Sequence, residues 1–352
     1  MLDNPSNMND EAARQFQICN SCRYCEGYCD VFPQLFALPE MSAASTAHLA
    51  NLCHNCRGCY YACQYAPPHE FDLNLPRVLA ELRQETWERH ARPQLLARAF
   101  HSHGVALGAA LIAGFAVIFF LMTALRPEDG EGFYAYLGHN AMVAIFAPAF
   151  LLPLAGLALS LRSYWREIGG GRITWADLRR MGSSVARLKN LSGGAGQGCN
   201  FEQGARYSNA RRHAHQATLW GFLMCFAATS VATLMHYGLG WEAPYPVWSP
   251  PKLLGVPGGI LLCLGTGALA WLKLRADPEL GAARVWGGEM AFVLLLFTVS
   301  VTGLALYAAT GTRAVPALLA IHLGAVLAFF VLTPYTKMVH GFYRMAALLA
   351  RR

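Results

Sequence analysis

Hydrophobic residues in this chain come in long blocks rather than at alternating positions. Six blocks, roughly 104–125, 140–161, 216–240, 253–272, 290–312 and 314–336, hold no formal charge unless an end is stretched. Each runs for about 20 residues, the length a helix needs to cross a hydrocarbon core. Lipid offers no partner for unpaired backbone groups, so the blocks predict six transmembrane helices. Ahead of them the pattern changes. Residues 1–18 form a polar lead-in, and 19–70 are rich in cysteine and turn residues. Within that stretch, 34–52 predicts a short helix carrying Leu35, Leu38, Met41 and Leu49. Asn74 then caps a helix from about Leu75 to Glu88, with Pro76 tolerated in its first turn. The expected fold is an α-helical polytopic membrane protein: an N-terminal helix-and-loop module over 1–100, then a six-helix transmembrane domain over 101–352.

Composition agrees with that reading. The 352 residues are 55% hydrophobic and 14% charged, with a mean hydropathy of +0.29. A soluble domain carries about 25% charged residues. The net charge of +7 would suit nucleic acid if it were spread over one surface. Instead, 25 of the 28 Lys and Arg lie in 1–103, 162–212, 273–285 and 337–352. The connections on the other side hold only Arg126, Lys252 and Arg313. The positive-inside rule then orients both termini to the cytoplasm, in an inner (cytoplasmic) membrane, with a lipid bilayer and no nucleic acid as partner. The first residues show no basic and apolar leader pattern, so no cleaved signal peptide is expected.

Two polar stretches carry local signals. In the connection 162–212, Ile173, Leu178, Met181, Val185, Leu188 and Leu191 recur near helical spacing among Arg179, Arg180, Arg187 and Lys189. This predicts a helix lying on the bilayer face or packed on the N-terminal module. The glycine-rich run LSGGAGQGCNFEQGARYSNARR follows. No strand precedes it and no Lys-Ser/Thr follows, so it reads as backbone approaching another surface closely rather than as a nucleotide loop. Arg77, Arg83, Arg89, Arg92 and Arg98 make the exit from the module basic, facing a partner, lipid headgroups or solvent.

The chemistry concentrates in eight cysteines. Cys19, Cys22, Cys25 and Cys29 form one C-x₂-C-x₂-C-x₃-C run, and Cys53, Cys56, Cys59 and Cys63 form a second. Three closely spaced thiolates grip three irons of a cubane, and the fourth cysteine of such a run ligates the other cluster in two-cluster ferredoxins. One [4Fe–4S] cluster is therefore expected on Cys19, Cys22, Cys25 and Cys63, and a second on Cys53, Cys56, Cys59 and Cys29. Here Pro33 and Pro67 stand four residues after each fourth cysteine, not directly after it, so the pattern is a variant. Zinc usually takes paired C-x₂-C knuckles and would leave a third C-x₂-C cysteine over. Disulfides need an oxidising compartment, against the orientation above. Cys225 and Cys263, inside apolar blocks, read as packing residues.

Histidines mark the edges of two blocks. His215 and His236 bracket the third; His322 lies in the sixth and His340 just beyond it. Eighteen residues separate His322 from His340, five whole turns of a continuous helix, or about 27 Å. His215 and His236 fall about 60° apart at 100° per residue, roughly one face. On antiparallel spans, His215 then meets His340 at the cytoplasmic edge, and His236 meets His322 at the outer edge. Facing imidazoles suit bis-histidine ligation of haem b in a bundle core, giving one or two haems. Single histidines of this kind also serve as interfacial caps or hydrogen-bonded core residues. His213 is the fallback for His215, and His103 and His139 are rival ligands. No C-x-x-C-H occurs, so covalent haem attachment is not expected. No Rossmann fingerprint, nucleophile elbow or zinc-hydrolase motif appears, so no catalytic residues are assigned.

NLCHNCRGCYYACQYAPPHEFDLNLPRVLAELR, GGAGQGCNF, RRHAHQATLWGFLMCFAATSVATLMHYGLGW and HLGAVLAFFVLTPYTKMVHGFYR resemble the tricarballylate/citrate utilisation protein B family over almost the whole chain. The chain also resembles the C-terminal half of CobZ. More distantly, spans three to six are similar to haem-binding γ subunits of nitrate and heterodisulfide reductases. The resemblance implies a partner, an FAD-dependent tricarballylate dehydrogenase, whose FADH₂ this chain reoxidises through the clusters and haem b to the quinone pool. It implies an electron-transfer component rather than a stand-alone enzyme. Two alternatives stand beside it: a heterodisulfide- or nitrate-reductase-type subunit with another dehydrogenase, and a redox-sensing transporter. The first lacks a CCG-type cysteine motif here, and the second lacks a visible internal repeat.

Overall fold

A computed structural model of the chain describes residues 5–125, 132–193, 196–200, 206–278 and 280–350. Arg126, part of the glycine-rich run and the last two arginines lie outside these described residues. The described residues form thirteen α-helices: α1 Pro5–Cys22, α2 Val31–Phe36, α3 Ala43–Leu52, α4 Gly58–Tyr61, α5 Leu75–His90, α6 Gln94–Leu125, α7 His139–Glu167, α8 Trp175–Arg187, α9 Ala210–Leu239, α10 Pro250–Leu274, α11 Ala283–Ala308, α12 Val315–Leu332 and α13 Val339–Leu349. Cys199 and Ser208 pair as an isolated antiparallel bridge.

Six helical segments are long and apolar enough to cross a membrane, beginning at Gln94, His139, Ala210, Pro250, Ala283 and Val315. The protein is a multi-pass membrane protein. Leu151, Leu152, Leu234 and Leu264 point outward from these helices, which a lipid environment accommodates and water would not. Helix contacts inside the bundle rely on small residues, since lipid gives no hydrophobic drive to bring helices together. At Gly221 a Cβ would lie 2.4 Å from the Leu262 amide nitrogen, so α9 and α10 touch backbone to backbone only because that atom is missing.

The spans are longer than the apolar blocks, and the sixth is broken. α12 stops at Leu332, a 3₁₀ turn covers Thr333–Tyr335, and α13 restarts at Val339. Pro334 has no N–H to give the preceding turn. His322 and His340 therefore occupy separate helices, and counting five turns between them does not apply. The expected helix over 34–52 is also two helices. Ser42 starts the second, its hydroxyl accepting the Ser45 amide at 3.2 Å. The helix from Leu75 forms as its sequence dictates: Asn74 accepts the Arg77 amide at 3.1 Å, and Pro76 sits in the first turn.

The N-terminal module and the bundle share one core. Phe16, Leu35, Leu49, Leu52 and Leu79 are fully buried, and Ala347 and Leu348 of α13 pack into the same cluster. Polar contacts reinforce the seam. His48 Nε2 lies 2.9 Å from the Ala347 carbonyl, and Trp87 Nε1 donates to Asn51 at 2.9 Å. α8 begins with a capping box formed by Thr174 and Asp177. Its Met181 reaches the module core, while Trp175 at its start is 87% exposed. The module thus sits at one edge of the bundle, called here the near edge; the ends of α6, α9 and α11 and the start of α7 and α12 define the far edge.

Candidate metal centres

The two cysteine runs fold as tight loops that turn their thiols inward. Arg23, Asn55 and Arg57 adopt positive φ angles of 56°, 52° and 63°, a region that non-glycine residues enter mainly where surrounding structure demands it. These turns gather the thiols into two cavities. Cys19, Cys22, Cys25 and Cys63 line one of about 390 Å³, with Tyr24, Gln64 and Tyr65. Cys29, Cys53, Cys56 and Cys59 line another of about 20 Å³, with His54 and Leu79. Each cavity holds three thiols of one run and the fourth of the other. Among the described residues, no three His, Cys, Asp or Glu side chains stand close enough to share a single metal ion.

Burial and mutual proximity set the protonation of these thiols. Burial, followed by the nearby Cys63, Cys25 and Cys22, pushes Cys19 up to about 12. Burial and then Cys63 and Cys22 push Cys25 up to about 12. In the second cavity burial raises Cys29 and Cys59 well above the usual thiol value, with Cys56 and Cys53 adding to the effect on both. Cys56 is pushed up to about 11 by burial and then by Cys199. Thiols raised in this way hold their protons at neutral pH unless a positive centre displaces them, which metal binding does.

At the near edge, the rings of His215 on α9 and His340 on α13 face each other with centroids 5.9 Å apart and planes at 74°. His340 Nδ1 meets the Lys337 carbonyl. A carbonyl only accepts, so Nδ1 carries the proton and Nε2 keeps a lone pair. The Nδ1 of His215 is buried with no hydrogen-bond partner among the described residues. Around these rings stand Arg211, Arg344 and Lys337. Glu289 on α11 pairs with Lys337 at 2.5 Å and with Lys273 at 2.7 Å.

The far edge is arranged differently. His236 stacks on His139, centroids 4.1 Å apart and planes at 22°. His322 turns to α11, where its Nδ1 lies 3.1 Å from the Thr302 hydroxyl. That hydroxyl donates to the Thr298 carbonyl at 2.7 Å, so it accepts from His322 Nδ1–H. His236 and His322, expected to face each other, are thus engaged with other neighbours. Of the remaining candidates, His213 and His103 are exposed, and His139 also bonds Tyr237 at 2.9 Å.

Comparison with known proteins now adds to this geometry. A profile described as Citrate utilization protein B Fer4-like domain matches residues 12–89, and one described as Citrate utilization protein B matches residues 93–352. The chain belongs to the citrate utilization protein B family. Citrate utilization protein B of Escherichia coli is 43% identical over 346 residues, covering 96% of this chain and 90% of that one. No solved structure matches. All eight run cysteines fall inside the Fer4-like match, which makes them the iron–sulfur candidates of this citrate utilization protein B family member.

Several residues at the family member's two centres carry no motif signature. Arg83 is buried on α5 and donates to the Cys53 carbonyl at 2.8 Å, although its sequence context reads as a basic surface. Arg344 donates to the same carbonyl, and Arg211 to the Asn55 carbonyl at 2.6 Å. At Gly198 the glycine-rich run closes on itself, where its sequence suggests approach to another surface: a Cβ there would lie 2.2 Å from the Ser208 carbonyl oxygen. This delivers Asn200, whose amide N–H donates to the Cys56 carbonyl at 3.0 Å. The Asn200 side chain is fully buried, its polar atoms without hydrogen-bond partners among the described residues. Position relative to the histidines was the available signal for the arginines: Arg211 and Arg344 each stand four residues from one.

Proposed function

We propose that this chain is the membrane-bound electron-transfer component that reoxidises a tricarballylate dehydrogenase. A reduced flavin on that partner gives up two electrons and two protons. The electrons cross this chain singly, and a quinone takes two electrons and two protons to become the quinol. In this reading Cys19, Cys22, Cys25 and Cys63 hold one [4Fe–4S] cluster, and Cys53, Cys56, Cys59 and Cys29 hold the other. His215 and His340 are the axial ligands of a b-type haem. The protein lies in the cytoplasmic membrane with both termini in the cytoplasm, which the Lys and Arg distribution supports.

The observation that carries this reading is the meeting, at one edge of six apolar helices, of two crossed four-thiol sets with a pair of facing imidazoles. The donor chemistry fits the groups it would hold. A pattern of three local thiols plus one remote thiol suits a cubane. The Lys337 carbonyl fixes the His340 tautomer with Nε2 as the available donor, a second-shell role common for ligating histidines. When bound, clusters and haem supply one-electron carriers. The chain's own residues do the rest. Buried thiols would release their protons to water as iron takes the sulfurs, and the apolar spans insulate the path. At the far edge His236 stacks on His139 rather than facing His322, which favours a single haem at the near edge.

The test is a reduced-minus-oxidised optical spectrum of membranes containing the protein, followed by rapid mixing with reduced flavoprotein. A b-type band is expected in the wild type. His340→Ala should leave cluster reduction intact and stop quinone reduction. Wild-type membranes without a b-type band, or a His340→Ala variant with an unchanged haem spectrum and normal quinone reduction, would remove His340 from the path.

A further inference from the structure

The two four-cysteine sets have unlike surroundings. The first lines the larger cavity, with Tyr24, 67% exposed, and the exposed Gln64 at its rim. The second is walled in by His54, Leu79 and Asn190. Its loop is also gripped from three directions. Arg83 and Arg344 both donate to the Cys53 carbonyl, and Arg211 donates to the Asn55 carbonyl. Two of these arginines come from the helices that bear the facing histidines. Arg211 precedes His215 by four residues on α9, and Arg344 follows His340 by four on α13. Four residues make about one turn, so each arginine stands about 6 Å along its helix from its histidine and on nearly the same face. The imidazole pair and the Cys53–Asn55 backbone are therefore joined twice, each time through one helical turn and one charge-assisted hydrogen bond. The first set has module residues such as Phe36, Tyr65 and Leu73 around it instead.

We propose that the second four-cysteine set is the electron exit of the module, and that Arg211 and Arg344 are positioning residues that hold it against the His215–His340 pair. The first set, open at the surface, is then the entrance that a soluble donor reaches. This rests on the electron-transfer reading above. In the step concerned, Cys29, Cys53, Cys56 and Cys59 would hold a cluster that gives up one electron, and His215 and His340 would hold a haem that takes it. No bond breaks and no proton moves. The two guanidiniums serve the step in two ways. They fix the separation of the two centres, and their positive charge favours the reduced, more negative state of the nearer cluster. That charge sets the second set to draw electrons from the first.

The experiment uses full-length protein in membranes and the variants Arg344→Met and Arg211→Met, which keep bulk and lose the donor. Iron and sulfide per chain should match the wild type. Reduction of the ferric haem by pre-reduced clusters in rapid mixing should slow about tenfold or more. In a potentiometric titration followed by electron paramagnetic resonance, one cluster signal should move to lower potential while the other stays. Arg344→Lys, which keeps charge and a donor, should restore most of the rate. Normal haem reduction in both methionine variants at full iron content would overturn the proposal. So would a shift confined to the cluster that Cys22→Ser removes. Should the methionine variants fail to assemble, spin relaxation decides the matter in Cys22→Ser and Cys56→Ser. The oxidised haem should speed relaxation of the cluster surviving in Cys22→Ser; a speeding confined to the one surviving in Cys56→Ser reverses the order. Absence of clusters or haem from the wild type would instead defeat the electron-transfer reading itself.

Discussion

Both edges of the bundle carry histidines, and the two edges use them in opposite ways. At the near edge, His215 and His340 approach from different helices at 74°, ring to ring across 5.9 Å. At the far edge, His139 and His236 lie nearly parallel at 4.1 Å, each covering the other's face. A metal shared by two imidazoles lies in the plane of both rings, where the lone pairs point. Stacked rings offer faces and no common point for their lone pairs. The charge around them differs as well. Arg211, Arg344, Lys337, Lys273 and Glu289 crowd the near edge, while the far edge supplies hydroxyls from Tyr134, Tyr237 and Thr302. Counting histidines at helix ends does not separate a ligand pair from a packed pair; ring orientation does.

The sharpest way to break this comparison is to remove one ring from each edge. His215→Ala and His340→Ala should each abolish the b-type absorbance, whereas His236→Ala and His322→Ala should keep it. Spectra of equal amounts of membrane-inserted protein decide it. Loss of the band in His236→Ala would make the far edge the haem site and leave the near pair as packing. The next effect in size concerns the thiols. Cys63→Ser should lower iron and sulfide from about eight to about four per chain, sparing the cluster of the run in which Cys63 stands. Resonance signals from Cys63→Ser and Cys22→Ser should then match, because both residues serve the first cavity. A Cys63→Ser spectrum matching that of Cys56→Ser instead would undo the crossover.

Much of this was legible in the chain itself. The six apolar blocks became six long helices, and Asn74 with Pro76 marked the start of α5, because both signals are local. The cysteine spacing anticipated which thiols share a cavity, since a run this short leaves its fourth thiol little choice but to reach the other site. The meeting of His215 and His340 was anticipated on a partly mistaken ground, as Pro334 interrupts the helix over which the turns were counted. Burial of Arg83 and the grip of Arg211 and Arg344 on backbone carbonyls were not legible. Each depends on a carbonyl contributed by a loop more than 25 residues away in sequence, and arginine is ordinarily read as surface. His101, buried beside Glu88, escaped notice because its partner comes from a different helix, which local pattern does not show.

A smaller change probes the far edge without touching a histidine. A methyl group at Gly303 would lie 2.9 Å from the His322 ring carbon Cε1. Gly303→Ala should therefore push the ring off Thr302 and cost about 1–3 kcal/mol of stability through overpacking. The b-type spectrum should not move. A shifted haem band in Gly303→Ala would show that His322 lies in the haem's coordination or contact shell, and the contrast between the edges would shrink accordingly.

The smallest expected effect lies at the near edge, in the seam between α5, α6 and α11. Glu88 is buried there, 2.8 Å from His101 Nδ1, with Gln84 donating at 3.0 Å and Arg284 at 3.3 Å. Burial by itself raises a carboxyl, but the His101 hydrogen bond and charge, together with Gln84 and Arg284, outweigh it and hold Glu88 below its ordinary 4.5. A carboxylate depressed by folding stabilises the fold above its unfolded value, and the contribution is lost as pH falls through the lower folded value. The seam should thus be at full strength near neutral pH and weaken below about 4.5. Glu88→Gln keeps the shape and most hydrogen bonds but not the charge, so it should cost on the order of 1 kcal/mol at pH 7. Thermal unfolding of detergent-solubilised protein across this range checks the sign. The gap between wild type and Glu88→Gln should be widest at neutral pH and close as the wild-type carboxylate protonates. A gap that stays constant down to pH 3 would mean that His101 and Arg284 hold Glu88 by shape alone.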